Sequence, residues 1–386
     1  MGIQDAISAA IAGDVLVIPG GSTYVLDGLV TVNKALTIIA YGAVLDWSTN
    51  SASQGLDITA SKVTIYGGEW KGPQEAANNT TQIGILARGA DVNNEITDIN
   101  IYDAHIHNWG QSGFEPRFVR RFTVDRCYIH DCYQYGILTR SAYEGRITNN
   151  HIEDIDADGV VGTGAWGITA SKSNGTEAVV PVPTDILIAN NIVKGCTTWT
   201  GIDTHGGQRI TITDNQVLNC VIGIGVVAYE STGGDETNVN DAVIADNIVS
   251  RDSGVVADGD VRAGILVDGS TADARSEGVV VKGNTVNGHG QNGGDPTSDD
   301  GAVSIRWCKN PVIADNNSRN SQTTAFRCMS LESMSMTGNQ AEGLSGTASA
   351  KATGSIDFSS SGNPSDGDTI TIHGRVFTFR NSPSGS

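Results

Sequence analysis

Charge of one sign, cysteine and long apolar runs are all scarce in this sequence. Charged residues make up 17%, and Lys+Arg number 24 against 43 Asp+Glu, for a net charge of −19. A phosphate-binding surface needs positive charge, so a general nucleic-acid binder is excluded, and an anionic membrane surface is disfavoured on the same ground. No apolar run reaches the ~18 residues of a membrane span, so membrane insertion is not expected. No stretch reads as a signal peptide either. Six cysteines, at positions 127, 132, 196, 220, 308 and 328, are too sparse for a disulfide scaffold and form no CxxC pair. Glycine, by contrast, is abundant, with 48 of 386 residues, beside a hydrophobic fraction of 39% rich in Ile and Val. That fraction is enough for a core, which excludes global disorder and points to an all-β chain.

A turn-plus-strand phrase recurs along the chain: Asn150-His151-Ile152, Asn191-Ile192-Val193, Asn215-Gln216-Val217, Asn247-Ile248-Val249 and Asn284-Thr285-Val286. Diverged copies begin at Ala104 and Cys127, and weaker ones at Asn316 and Asn339. Successive spacings are 23, 23, 41, 24, 32, 37, 32 and 23, so the unit is about 23 residues with loop insertions. Between these phrases lies a second: GILAR at 84–88, GFEPR at 113–117, GILTR at 136–140, GITAS at 167–171, GIDTH at 201–205 and GILVD at 264–268. Each unit therefore holds two or three short alternating strands separated by turn residues. One unit cannot bury its apolar face alone, whereas stacked units share a core. A propeller would need longer blades of roughly 40 residues, so a parallel β-helix is expected.

The ends fit a solenoid. Gln4 to Gly13 reads as an amphipathic helix capping the first coil, and residues 1–20 form that cap with a first strand. Residues 21–341 form the β-helix, the Gly/Ser/Ala-rich residues 342–354 a linker, and residues 355–386 a small or truncated β module.

This organisation, from IQDAI…AGDVLVIPGG through the Asn-x-Ile/Val coils, resembles the pectate-lyase-like right-handed parallel β-helix superfamily. That group includes polysaccharide lyases, mannuronan C5-epimerases, glycoside hydrolases and phage tailspike depolymerases. The resemblance covers roughly residues 3–341 and implies the fold more firmly than any one reaction. The tail GNPSDGDTITIHGRVFTF is similar to modules of phage tail proteins. Residues 185–228 look like the epimerase region carrying a YGxDPH motif: Gly201, Asp203 and His205 match it, while Thr200 stands for its Tyr and Thr204 for its Pro. In the next coil, Ile222 occupies the place of a catalytic Asp.

Aligned on its Gly, the second phrase places Arg88, Arg117, Arg140, Ser171 (with Lys172 next), His205, Val227 and Asp268 at one position. Stacking puts these in a row on one outer face. An acidic polymer could lie along such a row, its carboxylates held by arginine forks. The alternative is that each arginine pairs with an acid in an adjoining loop. If the polymer is a polyuronate, a cation on the C6 carboxylate acidifies the C5 proton. His205 is then the base, Asp203 its orienting partner, Arg140 and Lys172 the neutralising cations, and Tyr135 the acid or a sugar platform. Arg88, Arg117, Trp166, Trp199 and Tyr133 complete the candidate substrate surface, with Trp109 and Tyr143 as further groove walls. Coil-end packing is the bland alternative for each ring.

Asp154, Asp156 and Asp158 followed by Gly159 spell the first half of a calcium loop, so Ca2+ is the one cofactor considered. Ala165 stands where the bidentate Glu belongs, and a solvated acidic turn is the alternative. His105, His107, His130 and His151 recur at similar turn positions, but no acidic or Cys ligand is spaced to complete a metal site, so they read as a surface ladder. Cys132, Cys196 and Cys220 follow inward-pointing residues and read as small core residues.

These readings make the chain an enzyme on an anionic polysaccharide acting by C5-proton abstraction, a lyase before an epimerase. A glycoside hydrolase would need two carboxylates ~5–9.5 Å apart, such as Asp203 with Asp156 or Asp158. A glycan-binding tail module without activity is the reading from another class. The expected partner is an acidic polysaccharide, the expected location extracellular or a phage tail, and a tailspike would be a homotrimer.

Overall fold

The computed structural model describes residues 2–49, 54–73, 82–156, 164–172, 181–229, 237–252, 262–269, 275–290, 301–321 and 324–343, and the backbone of three later strands. It is a three-sided parallel β-helix. Each coil contributes one strand to each of three parallel sheets, so every third strand in the chain is a neighbour in space. The second and third sheets have 12 strands each, and the first has 12 along its main path with four short extra strands beside it.

Alternation along each strand sends one set of side chains inward, where register stacks like on like. The first sheet stacks Ile38, Ile65, Ile101, Val124, Ile147, Ile188, Ile212 and Ile244, one per coil. The third stacks Ile85, Phe114, Ile137, Ile168, Ile202, Ile224 and Ile265. These side chains are fully buried, each stabilising the fold by roughly 1.5–3 kcal/mol relative to exposure. All six cysteines are buried and free in this interior.

The recurring Asn marks the corner between the first and second sheets. The residue before it is left-handed (φ 57° at Asn149, Asn190 and Asp214), a conformation that Asn, Asp and Gly adopt most cheaply. The buried ladder Asn then accepts from the ladder residue of the preceding coil. Asn215 Oδ1 takes the Asn191 backbone N–H at 2.9 Å, and Asn247 Oδ1 takes that of Asn215 at 3.0 Å. This ladder runs from Asn150 to Asn339.

The helix spans Ile3–Ala9, shorter than Gln4 to Gly13 because the chain turns extended at Ala10 and left-handed at Gly13. It caps the open end of the stack. Ile7 is buried there, Gln4 bonds both the N–H and the C=O of Thr31, and Lys34 Nζ donates to Ser8 O and Ala10 O. An exposed sheet edge is thereby covered. At the other end, the expected linker overlaps the last coil: a strand covers Gln340–Glu342, and Ile356–Asp357 pairs with Cys328 and Met329 of the third sheet. Thr369–Ile372 and Arg375–Thr378 form an antiparallel hairpin.

Candidate functional site

On the outer face of the third sheet, three rows run parallel to the helix axis. One is Arg88, Arg117, Arg140, Ser171, His205, Val227 and Asp268, the row that alignment on Gly anticipated. The second is Asp57, Leu86, Glu115, Leu138, Thr169, Asp203 and Gly225. The third is Ser112, Tyr135, Trp166, Thr200 and Ile222. Tyr135 therefore stands in the same row as Thr200, two coils earlier.

The arginines are paired, and their partners come from the neighbouring row of the same face instead of from loops. Both carboxylate oxygens of Asp57 are taken by Arg88, at 2.9 and 2.8 Å. Glu115, fully buried, holds Arg140 at 2.7 Å and Arg117 on one oxygen, and accepts from Ser112 Oγ at 3.1 Å on the other. Arg140 is thus already matched by a carboxylate. Lys172 differs: it is largely buried, its Nζ lies 6.0 Å from the Tyr229 ring centroid, and no carboxylate of the described residues is within 4.0 Å of it.

Around these pairs is a compact cluster. The Tyr135 and Trp166 rings stack at 4.9 Å and 9°. Trp166 meets His205 edge-on at 6.3 Å. His205 Nε2 lies 2.7 Å from Asp203 Oδ2, and its side chain keeps 31% exposure, enough to meet a ligand. Burial alone would lower the His205 pKa, but the charge and hydrogen bond of buried Asp203 outweigh it, so the net shift is upward. The Tyr135 phenol is pushed up to about 12, mainly by burial, with Arg140 opposing and Glu115 and Asp203 adding to the rise. Trp166 Nε1 and Thr169 Oγ1 are buried here with no hydrogen-bond partner among the described residues.

Other expected groups lie elsewhere. Trp109 is fully buried, tilted against Trp47 at 5.7 Å in the core, with its indole N–H donating to Trp70 O at 3.1 Å. Tyr133 packs partly buried against the main core. Tyr143 sits on the first sheet, with Arg120 over its ring, and so walls no groove on the third. Trp199 carries the Arg262 guanidinium 4.8 Å over its ring. Asp154 is a left-handed corner residue (φ 52°) facing Gly195 of the next coil, and its pKa is raised by burial and by Glu153 and Asp131. Asp154 and Asp156 belong to no converging set of ligand atoms among the described residues, and Asp158 lies outside them. The His105, His107 and His130 ladder forms on the second sheet, a separate face.

A family model described as "Right handed beta helix region" matches residues 47–232. No curated protein matches the chain by sequence. Among solved structures, it is similar to PfbA, a surface adhesin of Streptococcus pneumoniae (TM-score 0.66, 15% identity, 98% of this chain and 95% of that one). It is similar also to the Dettilon tailspike protein (TM-score 0.61, 16% identity, 85% of this chain), of which it spans 61%. A third is a Family 28 exopolygalacturonase of Yersinia enterocolitica (TM-score 0.57, 13% identity, 92% and 74%). At these identities the likeness establishes the fold. No helix among the described residues is long and apolar enough to cross a membrane.

Proposed function

Because the right-handed parallel β-helix fold hosts several chemistries, we propose a function for this chain from its side chains: it acts on an anionic, uronate-containing polysaccharide by abstracting the C5 proton. The observation that carries this reading is the Asp203–His205 pair at 2.7 Å beside the stacked Tyr135 and Trp166. In the neutral ring, Nε2–H donates to Asp203, so the lone pair lies on Nδ1, where a base would receive the proton. Asp203 then stabilises the imidazolium. Tyr135, with its pKa near 12, keeps its proton at neutral pH and so serves as the acid.

In the elimination, the C5–H bond breaks toward His205 Nδ1 and its electron pair becomes the C4=C5 double bond. The C4–O4 bond breaks, and O4 takes the Tyr135 proton. The site resets when the proton held by His205 passes through solvent to the phenolate. Lys172, with no carboxylate partner among the described residues, takes over from Arg140 as the cation for the C6 carboxylate. The partnerless Trp166 Nε1 and Thr169 Oγ1 would serve sugar hydroxyls. An epimerase shares the abstraction but returns a proton to the opposite face of C5.

Hydrolysis is less well served. Glu115 and Asp203 are three coils apart, ~14 Å at ~4.8 Å per strand, beyond the glycosidase range. Asp57 and Glu115 are nearer, but arginine and serine groups occupy all their oxygens. The test incubates the protein with alginate and pectate, with and without Ca2+, and follows three products. Ultraviolet absorbance of an unsaturated ring supports elimination, a change in uronate configuration by NMR without it supports epimerisation, and reducing ends alone support hydrolysis. None of the three leaves a glycan-binding tail module, of phage or extracellular origin.

A further inference from the structure

The histidine ladder on the second sheet acquires an acidic partner that sequence spacing does not reveal. Register stacks Glu69, His105, Tyr128 and His151 in one outward row, and Lys71, His107, His130 and Glu153 in the next. His105 and His107, two residues apart on one strand, project together, and their rings lie 4.6 Å apart. Glu69 Oε1 is 3.2 Å from His107 Nε2. One ligand atom each from Glu69, His105 and His107 lies within 4.8 Å of the others, the only such convergence among the described residues.

We propose that Glu69, His105 and His107 form a binding site for a divalent transition-metal cation of the zinc class, on a face distinct from the Asp203–His205 cluster. Two ligand atoms on one tetrahedral zinc, each ~2.0–2.1 Å from it, are about 3.3 Å apart, close to the Glu69–His107 separation. Two imidazoles and one carboxylate suit zinc, cobalt, nickel or copper better than magnesium or calcium. Three protein ligands leave a fourth position for water or a ligand, and Glu69, with a 35% exposed side chain, opens the site to solvent.

Behind it stands a hydrogen-bonded chain of the kind that orients metal-binding histidines. The carboxylate of Asp131 accepts from His130 Nδ1 at 2.7 Å, so in a neutral ring His130 Nε2 carries a lone pair. That lone pair accepts from His105 Nε2 at 2.8 Å, which leaves the His105 lone pair on Nδ1. Nearby charge also favours a cation: Asp46 lies 3.4 Å from Lys71 and offsets it, and Asp131 adds negative charge.

The test is calorimetric titration of tag-free, chelator-treated full-length protein with ZnCl2 and CoCl2, with cobalt d–d absorption as a second readout. We expect one saturable equivalent per chain, with zinc raising the thermal midpoint. His107→Ala and Glu69→Gln should each weaken binding at least ten-fold, and Asp131→Asn roughly ten-fold. Glu69→Gln removes a partly exposed charge, so its fold, checked by circular dichroism without metal, should be unchanged. His205→Ala should leave the titration as it is. No saturable binding would overturn the proposal, and so would binding unchanged in both Glu69→Gln and His107→Ala, or binding lost with His205→Ala.

Discussion

Replacing one rung of the asparagine ladder gives a sharp test of how the fold is held. Asn215 is buried, and its amide donates to Ile188 O and Thr213 O, each at 2.9 Å, and to Asn247 Oδ1 at 3.0 Å. Its carbonyl accepts from the Asn191 backbone N–H at 2.9 Å and from Asn191 Nδ2 at 3.0 Å. Asn215→Leu keeps the volume and removes all five bonds. Asn191 Nδ2 keeps its bond to Ile147 O, Thr213 O keeps the Asn190 backbone N–H, and Asn247 Oδ1 keeps the backbone N–H of residue 215. The Asn191 backbone N–H and the Ile188 carbonyl therefore carry the loss. At about 1–3 kcal/mol for each buried group deprived of its partner, the change should cost roughly 2–6 kcal/mol. That is a large part of the 5–15 kcal/mol typical of a folded domain. Urea unfolding followed by circular dichroism measures it, with Gln216→Ala, an exposed neighbour, as the control expected within ~0.5 kcal/mol. A loss below about 1 kcal/mol for Asn215→Leu would refute the reasoning, because the ladder would then be a by-product of stacking and not a support for it.

Two further outcomes follow from the third sheet. His205 must be neutral to act as a base, and Asp203 raises its pKa, so activity should rise with pH through a value above that of an ordinary imidazole and fail again only as Tyr135 ionises near 12. Asp203→Asn should move the acidic limb to lower pH and cut kcat by roughly 10²–10⁴-fold, read from a pH–rate profile. Glu115→Gln leaves Arg117 and Arg140 without their shared carboxylate and should cost about 3 kcal/mol, the low end for a broken buried pair because both arginines reach solvent; thermal unfolding checks it.

The coils from Asn150 onward were legible in the sequence because each carries its own punctuation, a left-handed residue followed by the ladder Asn. The row from Arg88 to His205 was legible for a similar reason: the Gly on which the phrases align occupies equivalent positions in successive coils. What bonds to what across rows was not. Glu115 is visible within GFEPR, but its grip on Arg140 depends on contact between coils. Glu69 lies 38 residues before His107, in a coil whose corner is made by Gly67 and Gly68 instead of Asn, so no repeated phrase links it to the histidines. Trp109 follows the same strand as those histidines, yet its ring turns inward to pack against Trp47, which stacks in turn on Trp70.

The central claim is that the Asp203–His205 and Tyr135–Trp166 cluster removes a proton from a uronate. The most direct measurement is the ultraviolet absorbance of the wild-type protein, His205→Ala and Lys172→Ala during incubation with alginate and pectate. The account predicts rising absorbance with the wild type, at least roughly 100-fold slower with either variant. Wild-type absorbance that stays flat on every polyuronate with no change of uronate configuration by NMR, or an equal rise in all three proteins, would contradict it.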